Sequence, residues 1–240
     1  MAVFRILMEK LPDVGRVCPA PPNQAHHLLR VRRLTPRDHL ECLDRQGWAC
    51  TAEIVQSDNK GLSFRLVGEP RPPSPRPQLR VCISLLPEAA FSLVLQKCTE
   101  LGAAECQPLM CDFTVARLHP NELPRKLARW QRICDEAAVQ SGSAPMRVLQ
   151  PCSTAQLWPT AAPLKLLADT AGSSSPPAPP ASGQLLLVAI GPEAGFSPSE
   201  HTAALQHGWL PFRLASHTLR AETAAIAACA RLLIPAPSPA

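Results

Sequence analysis

Three short runs of mostly apolar residues constrain the fold of this 240-residue chain most strongly. They are LRVCISLL at residues 79–86, LKLLAD at 164–169 and QLLLVAI at 184–190. Strands of this kind are covered on both faces, as in a parallel sheet that is flanked by helices. A chain that alternates such strands with helices is expected to form an α/β domain with a largely parallel sheet.

Helical segments separate these runs. Residues 88–101 and 122–140 repeat apolar side chains at helical spacing, and Gly102 stands where the first of these helices should end. Residues 197–200, Ser-Pro-Ser-Glu, form a capping box with proline at the first helical position, which predicts a helix start. An alanine-rich stretch from 222 to 233 predicts the last helix, and ECQPLM and WLPFRLA predict two further strands.

The front of the chain has a different pattern. HLECLDRQGWACTAEIVQ, at residues 39–56, alternates on both sides of Arg45-Gln46-Gly47 and predicts a hairpin, and residues 61–67 alternate again. We expect a small antiparallel sheet or barrel over residues 1–70. Two clusters of the 28 prolines cannot build a core: we interpret residues 71–78 as a linker to a domain at 79–240, and 171–183 as a surface loop insertion.

Basic charge is concentrated in the front segment. Residues 1–80 contain 13 Lys and Arg against 8 Asp and Glu, whereas residues 81–240 contain 11 of each, so the net charge of +5 lies in the front. This asymmetry favours an anionic partner such as nucleic acid, although solvated surface arginines would give the same count. HHLLRVRRL, at residues 26–34, places Arg30, Arg32 and Arg33 close together.

The ten cysteines do not indicate a metal site. No C-x-x-C pair occurs, and the closest pair, Cys106 and Cys111, has no histidine at ligand spacing. Several cysteines fall in apolar periodic segments, where a thiol behaves as a small hydrophobe. No signal peptide opens the chain, and no apolar run approaches the roughly 18 residues of a membrane span. We therefore expect a soluble cytoplasmic protein with buried reduced thiols, no metal and no membrane partner.

The run QLLLVAI ends in a turn with unusual chemistry. It continues as IGPEAGF, at the kind of strand end where open α/β sheets bind ligands. The turn lacks the G-x-G-x-x-G of dinucleotide sites and the Gly-Lys-Ser/Thr of phosphate loops, and the carboxylate of Glu193 would repel a phosphate. Its glycines let backbone groups approach a ligand closely. The turn favours a neutral or cationic ligand; a plain strand-to-helix turn is the alternative.

Several segments, in order along the chain, resemble one family. They are LLRVRRL, LQKCTELG, RKLARWQRICDEAAVQSG, LLVAIGPEAGF and TLRAETAAIAA. Together they resemble the small-subunit (16S) ribosomal RNA uridine-N3 methyltransferases, the RsmE family. The resemblance implies a PUA-like antiparallel β-barrel for RNA, a SPOUT α/β domain with a C-terminal trefoil knot, and a homodimer. It also implies S-adenosyl-L-methionine as the methyl donor.

The resemblance also implies roles for individual residues. Arg220 is expected to stabilise or orient the uracil anion, and Glu222 to anchor the helix start or accept a proton; an ion pair that only orders the loop is the alternative. RNA contacts are expected from Arg30, Arg32, Arg33 and Lys97. The cofactor-binding residues are expected to be Ile190, Gly191, Pro192, Glu193, Gly195, Leu214, Leu219, Thr223 and Ala224.

The chain departs from the family pattern at several positions. Phe113, Ser143 and His217 replace arginines, and Ala194 replaces a glycine of the first turn. These changes remove polar groups that could contact RNA or the target base. The sequence predicts an active, diverged ribosomal RNA methyltransferase, with a non-catalytic RNA-binding or ribosome-assembly protein of the same fold as the second hypothesis.

Overall fold

The computed structural model describes residues 4–25, 28, 34–58, 61–175 and 177–234. Contacts divide the chain into two compact units, Met1–Ser74 with Ala138–Pro145, and Pro75–Ala137 with Met146–Ala240. Within the described residues, no helix combines the length and apolar character needed to cross a bilayer. The described residues also contain no group of three or more His, Cys, Asp or Glu side chains that could bind a metal ion.

The first unit contains a five-stranded sheet with the order β1-β3-β4-β5-β2. The predicted hairpin is β3–β4, and Asp44 closes its turn by accepting hydrogen bonds from the amides of Gln46 and Trp48, both at 2.9 Å. Alternate residues of the strands, such as Ile54 and Phe64, form the buried core of this unit. The strands are β1 (Arg5–Met8), β2 (Val17–Pro19), β3 (His39–Asp44), β4 (Ala49–Asp58) and β5 (Gly61–Leu66).

One strand pair departs from the antiparallel arrangement expected for the front of the chain. β1 runs parallel to β3, with Ile6 opposite Cys42, while the other neighbouring strands pair antiparallel. A parallel pair needs a long crossover, which residues 9–38 supply here. The expectation of a purely antiparallel sheet is therefore wrong at this pair. The sequence did not indicate the pairing, because a four-residue strand is too short to carry such a signal.

The second unit contains a sheet in which the paired strands are all parallel, in the order β12-β10-β11-β6-β7-β8, with β9 beside β7. The three apolar runs form β6, β10 and β11, which are neighbours at its centre, and the predicted parallel α/β fold is confirmed. The strands are β6 (Gln78–Ser84), β7 (Glu105–Met110), β8 (Arg147–Val148), β9 (Cys152–Ser153), β10 (Leu164–Ser173), β11 (Leu185–Ile190) and β12 (Leu210–Phe212).

Helices cover this sheet on both faces. Leu186 and Val188 of β11 face one buried cluster that includes Phe91, while Leu187 and Ala189 face a second cluster. This alternation explains why the run is apolar throughout. The helices are α1 (Glu88–Glu100), α2 (Leu123–Ser141), α3 (Thr154–Leu157), α4 (Pro198–Gln206) and α5 (Ala221–Leu233), with a 3-10 turn at Pro120–Glu122.

Strand β10 is longer than the sequence suggested. It continues to Ser173, into the residues expected to begin a surface loop, and Ser173 pairs with Phe212 of β12. At Gly172 a Cβ atom would collide with the backbone of Pro211 and Phe212, so the glycine is what allows the strands to approach. The glycine and serines at the start of residues 171–183 suggested a loop. The structure shows instead that Gly172 is needed for close packing of β10 against β12.

Candidate functional site

A cleft of about 280 Å³ opens beside the carboxyl-terminal parts of β10, β11 and β12. These three strands are neighbours in the sheet. Its volume lies just below the range for small-molecule sites, roughly 300–1,000 Å³. The cleft is lined by Ala168, Asp169 and Thr170 of β10, by residues 190–193, Gly195, Phe196 and His201, and by residues 213–215 and 217–219 with Ala221 and Ala224.

The glycine turn after β11 forms one wall of the cleft. Gly195 has a φ of +75°, and its amide donates to the carbonyl of Pro192 at 2.8 Å, which closes a tight turn. A Cβ at Gly191 would lie 3.1 Å from the carbonyl carbon of Gly195 and 3.2 Å from the amide nitrogen of Phe196. Ala194 is exposed and has no positive φ, so alanine fits there without backbone strain.

Asp169 and His201 form a hydrogen-bonded pair on the cleft wall. Nε2 of His201 lies 2.8 Å from Oδ2 of Asp169, and the amide of Ala171 donates to Oδ1 at 2.8 Å. Burial alone would raise the pKa of Asp169, but the hydrogen bonds from Ala171 and His201 outweigh burial and hold that pKa below its ordinary value. The cleft therefore contains an ionised carboxylate.

The start of helix α4 is fixed by the predicted capping box. Ser197 accepts a hydrogen bond at Oγ from the amide of Glu200, and Glu200 accepts one at Oε2 from the amide of Ser197 at 2.9 Å. Glu200 is only 6% exposed, and its Oε1 also accepts from the amide of Asp112 at 3.0 Å and the hydroxyl of Thr154 at 2.9 Å. This network sets the position of His201, the next residue along the helix.

Arg231 of helix α5 holds the segment after β12. Its guanidinium donates to the carbonyls of Arg213 at 2.8 Å and Leu214 at 2.9 Å, and also to the carbonyl of Ser174 beyond the end of β10. The same guanidinium lies 4.8 Å from the ring centroid of Phe212, a cation–π contact. One side chain therefore fixes the ends of two strands that border the cleft.

The cysteines supply no reactive group to this cleft. All ten are free thiols, and eight of them are buried, as the sequence predicted. Burial raises the pKa of Cys42, Cys111 and Cys134 to about 12, so these thiols stay protonated at neutral pH. None of the ten lines the cleft within the described ranges.

Most of the chain matches one group of proteins. Residues 72–233 match the family described as an RNA methyltransferase domain, and residues 21–67 match an RNA methyltransferase PUA domain. The ribosomal RNA small subunit methyltransferase E (RsmE) of Synechocystis sp. is 30% identical over 223 residues, which cover 87% of this chain and 70% of that protein. The chain belongs to the RsmE family.

Other members and solved structures agree with this assignment. RsmE of Mycobacterium tuberculosis is 28% identical, covering 95% of this chain and 90% of that protein. A Legionella pneumophila protein described as a methyltransferase, solved with bound cofactor SAM (S-adenosylmethionine), has a TM-score of 0.85 at 26% identity, covering 97% of both chains. RsmE of Neisseria gonorrhoeae, solved with S-adenosylmethionine, shares the fold at a TM-score of 0.84 and 23% identity, covering 96% of both chains.

The structure gathers most of the residues that the RsmE resemblance implied. Eight of the nine expected cofactor-binding residues line the cleft, and Thr223 is exposed on α5 away from it. Arg220 is exposed and Glu222 half-buried, and neither lines the cleft. Within the described part of the chain, no salt bridge joins Arg220 to Glu222, so the alternative of an ion pair that orders the loop lacks that contact.

Of the expected RNA-binding residues, Lys97 is the one that lies within the described part of the chain. Lys97 lies in the last turn of α1 and forms an ion pair with Glu100 at 2.9 Å. Of the positions where the RsmE resemblance implied arginine, Phe113 is exposed, Ser143 shares a hydrogen bond with Ser141, and His217 lines the cleft. The other three expected RNA contacts are Arg30, Arg32 and Arg33, which lie outside the described residues.

Sequence reasoning missed the pair of Asp169 and His201. Asp169 was the polar end of the run LKLLAD, and His201 follows the capping box, but 32 residues separate them. A polar residue that ends a buried parallel strand was the available signal, because the carboxyl ends of such strands meet at the ligand edge of the sheet.

Proposed function

We propose that this protein transfers the methyl group of S-adenosylmethionine to N3 of a uridine in 16S ribosomal RNA. The observation that carries the proposal is the composition of the cleft in a chain of the RsmE family: a glycine turn, an apolar wall, and the carboxylates of Asp169 and Glu193. A sulfonium donor is positively charged at sulfur and at its amino group. Carboxylates attract such a ligand and repel a phosphate.

The cleft residues fit this donor. Ile190, Leu214, Leu219 and Ala224 offer an apolar surface to an adenine ring, and the backbone of the glycine turn can bond the edge of that ring. Asp169 is held ionised by its two hydrogen-bond donors, so it can face a cation or a ribose hydroxyl. Arg213 is the only Lys or Arg among the described cleft residues, which leaves little to hold a phosphate.

The donor supplies an electrophilic methyl carbon when bound. The chain contributes by holding the uracil nitrogen in line with that carbon, so most of the acceleration is positional. N3 must also lose its proton, which requires a base or a cation that stabilises the uracil anion. Arg220 stands between the cleft residues Leu219 and Ala221, and we assign the stabilising or orienting role to it. Glu222, in the first turn of α5, anchors the helix start or accepts the proton.

RNA is bound by the front of the chain in this proposal. Residues 1–70 form a PUA-like barrel, residues 71–78 a linker, and residues 79–240 a SPOUT domain with a trefoil knot, which pairs as a homodimer. The match of residues 21–67 to an RNA methyltransferase PUA domain supports the first assignment. Arg30, Arg32 and Arg33 neutralise RNA phosphates, together with Lys97.

Two measurements test the proposed function. Calorimetry tests whether the protein binds S-adenosylmethionine, and mapping of methylated uridines tests whether small-subunit RNA from cells that lack the protein loses one N3-methyluridine. Purified protein should restore that mark on subunits from those cells. A protein that binds no donor, or RNA whose modification is unchanged, would contradict the proposal.

A second function is favoured by the missing arginines. Phe113 and Ser143 stand where the RsmE resemblance implied arginine, and loss of those cations would weaken the engagement of RNA or of the target base. A protein that keeps the fold but only assists ribosome assembly would bind small-subunit RNA and S-adenosylmethionine without transferring a methyl group. That result in the same experiments would replace the enzyme assignment with the assembly role.

A further inference from the structure

We propose that His201, oriented by Asp169, is the base that accepts the N3 proton of the target uracil. The inference rests on the proposed function, because a proton must leave N3 only if that atom is methylated. His201 is the catalytic residue in this proposal, and Asp169 is a positioning residue that acts through it. Both side chains line the cleft, whereas Glu222 does not.

The hydrogen bonds define which nitrogen can act. A carboxylate only accepts, so Nε2 of His201 carries the hydrogen that points to Oδ2 of Asp169 at 2.8 Å. Nδ1 then keeps its lone pair, and it has no hydrogen-bond partner within the described residues. The other oxygen of Asp169 is occupied by the amide of Ala171, which fixes the carboxylate plane. An acceptor nitrogen backed by an oriented carboxylate is the arrangement of a general base.

The other titratable cleft residues are less suited to this role. Glu193 is exposed on the glycine turn, Arg213 carries no acceptor, and His217 is exposed with its Nδ1 at 3.4 Å from the hydroxyl of Ser216. Among the described cleft residues, His201 alone has a carboxylate behind it. It is also rigidly placed, since the buried Glu200 before it anchors the helix to two other segments.

Nδ1 of His201 takes the proton from N3, and the electron pair left on N3 forms the new bond to the methyl carbon. The bond from that carbon to sulfur breaks, and sulfur keeps the pair as a neutral thioether. The imidazolium is stabilised by the carboxylate of Asp169 and then returns its proton to water.

The test compares three single variants of the full-length protein. His201→Gln removes the base, and Asp169→Asn removes its orienting charge. His207→Gln changes the histidine that caps the end of the same helix and does not line the cleft. At saturating S-adenosylmethionine, single-turnover methylation should fall about 100-fold or more in His201→Gln and less in Asp169→Asn. The donor affinity of His201→Gln should stay within about threefold of wild type, and the His207→Gln variant should match wild type in both measurements.

Two further readouts separate a base from a structural role. Added imidazole should restore part of the rate of His201→Ala, which it cannot do for a misfolded variant. The rate of wild type should rise only weakly with pH, because His201 takes the proton from N3. Without the base, the rate should climb about tenfold per pH unit through neutrality, because it then follows ionisation of uracil itself.

If wild type binds the donor and methylates N3 while His201→Gln keeps its rate within about threefold, the base assignment fails and the proposed function stands. If His201→Gln loses donor affinity and keeps its rate, the pair is a binding element and the proposal is overturned. If wild type transfers no methyl group, both proposals fall together.

Discussion

Replacement of Glu200 by glutamine tests the network that anchors the cleft. The carboxylate accepts three hydrogen bonds, from the amides of Ser197 and Asp112 and from the hydroxyl of Thr154. Glutamine has one acceptor oxygen and one NH₂ group. Whichever way that amide is turned, its NH₂ faces one of the two backbone amides, which cannot accept. Glu200→Gln therefore leaves either the buried amide of Ser197 or the partly buried amide of Asp112 without a partner.

The size of this effect follows from the bonds that are lost. A hydrogen bond to a charged group contributes about 1.5–3 kcal/mol, and an unsatisfied buried donor costs about 1–3 kcal/mol. These two estimates describe the same loss, so we expect Glu200→Gln to lower the free energy of unfolding by about 2 kcal/mol. For a unit of this size the melting temperature should fall by about 4–8 °C.

Urea titration followed by tryptophan fluorescence measures this change, because Trp158 and Trp209 lie in the same buried cluster as Phe196, which precedes the capping box. The matched control is Glu136→Gln, whose side chain is 73% exposed and lies 3.7 Å from Arg132. An exposed pair contributes little, so this control should be indistinguishable from wild type. A loss below about 0.5 kcal/mol in Glu200→Gln would refute the network as an anchor.

Three further predictions concern the cleft and the RNA. Gly191→Ala places a Cβ 3.1 Å from the backbone of Gly195, so calorimetry should show about tenfold weaker binding of S-adenosylmethionine with the fold retained by circular dichroism. Because the pKa of Asp169 is lowered from 3.8, its carboxylate stabilises the fold fully above that pH and loses this effect as pH falls through its folded value; urea midpoints of wild type and Asp169→Asn should differ at pH 7, and the difference should shrink as pH falls below 3.8. Arg30, Arg32 and Arg33 can be replaced together by glutamine. In a plot of log affinity for single-stranded RNA against log salt concentration, the slope should then become less steep by about 2.

Much of the second unit could be predicted from local patterns. The apolar runs gave the central strands, because a parallel strand is buried on both faces and needs no alternation. The capping box located the start of α4 to the residue, since Ser197 and Glu200 satisfy each other's backbone amides. Gly102 follows α1 with a φ of +90°, where glycine was expected.

Long-range pairing could not be predicted in the same way. The parallel partner of β1 depends on a 30-residue crossover at 9–38, and the length of β10 depends on Gly172 meeting β12. The pair of Asp169 and His201 arises only when the end of β10 approaches the start of α4. None of these contacts leaves a periodic signal, because each joins residues that are far apart in the sequence.

The contacts of Arg231 have a practical consequence for engineering this chain. This side chain bonds directly to the backbone of Ser174 and of the residues after β12. The backbone that borders the cleft is therefore fixed by contacts that do not involve the proline-rich segment at 177–180. Lengthening a flexible connection costs only about 0.6 kcal/mol for each doubling. A peptide tag or fluorophore acceptor inserted at 177–180 should therefore leave donor affinity intact, which gives a labelling position that avoids both termini.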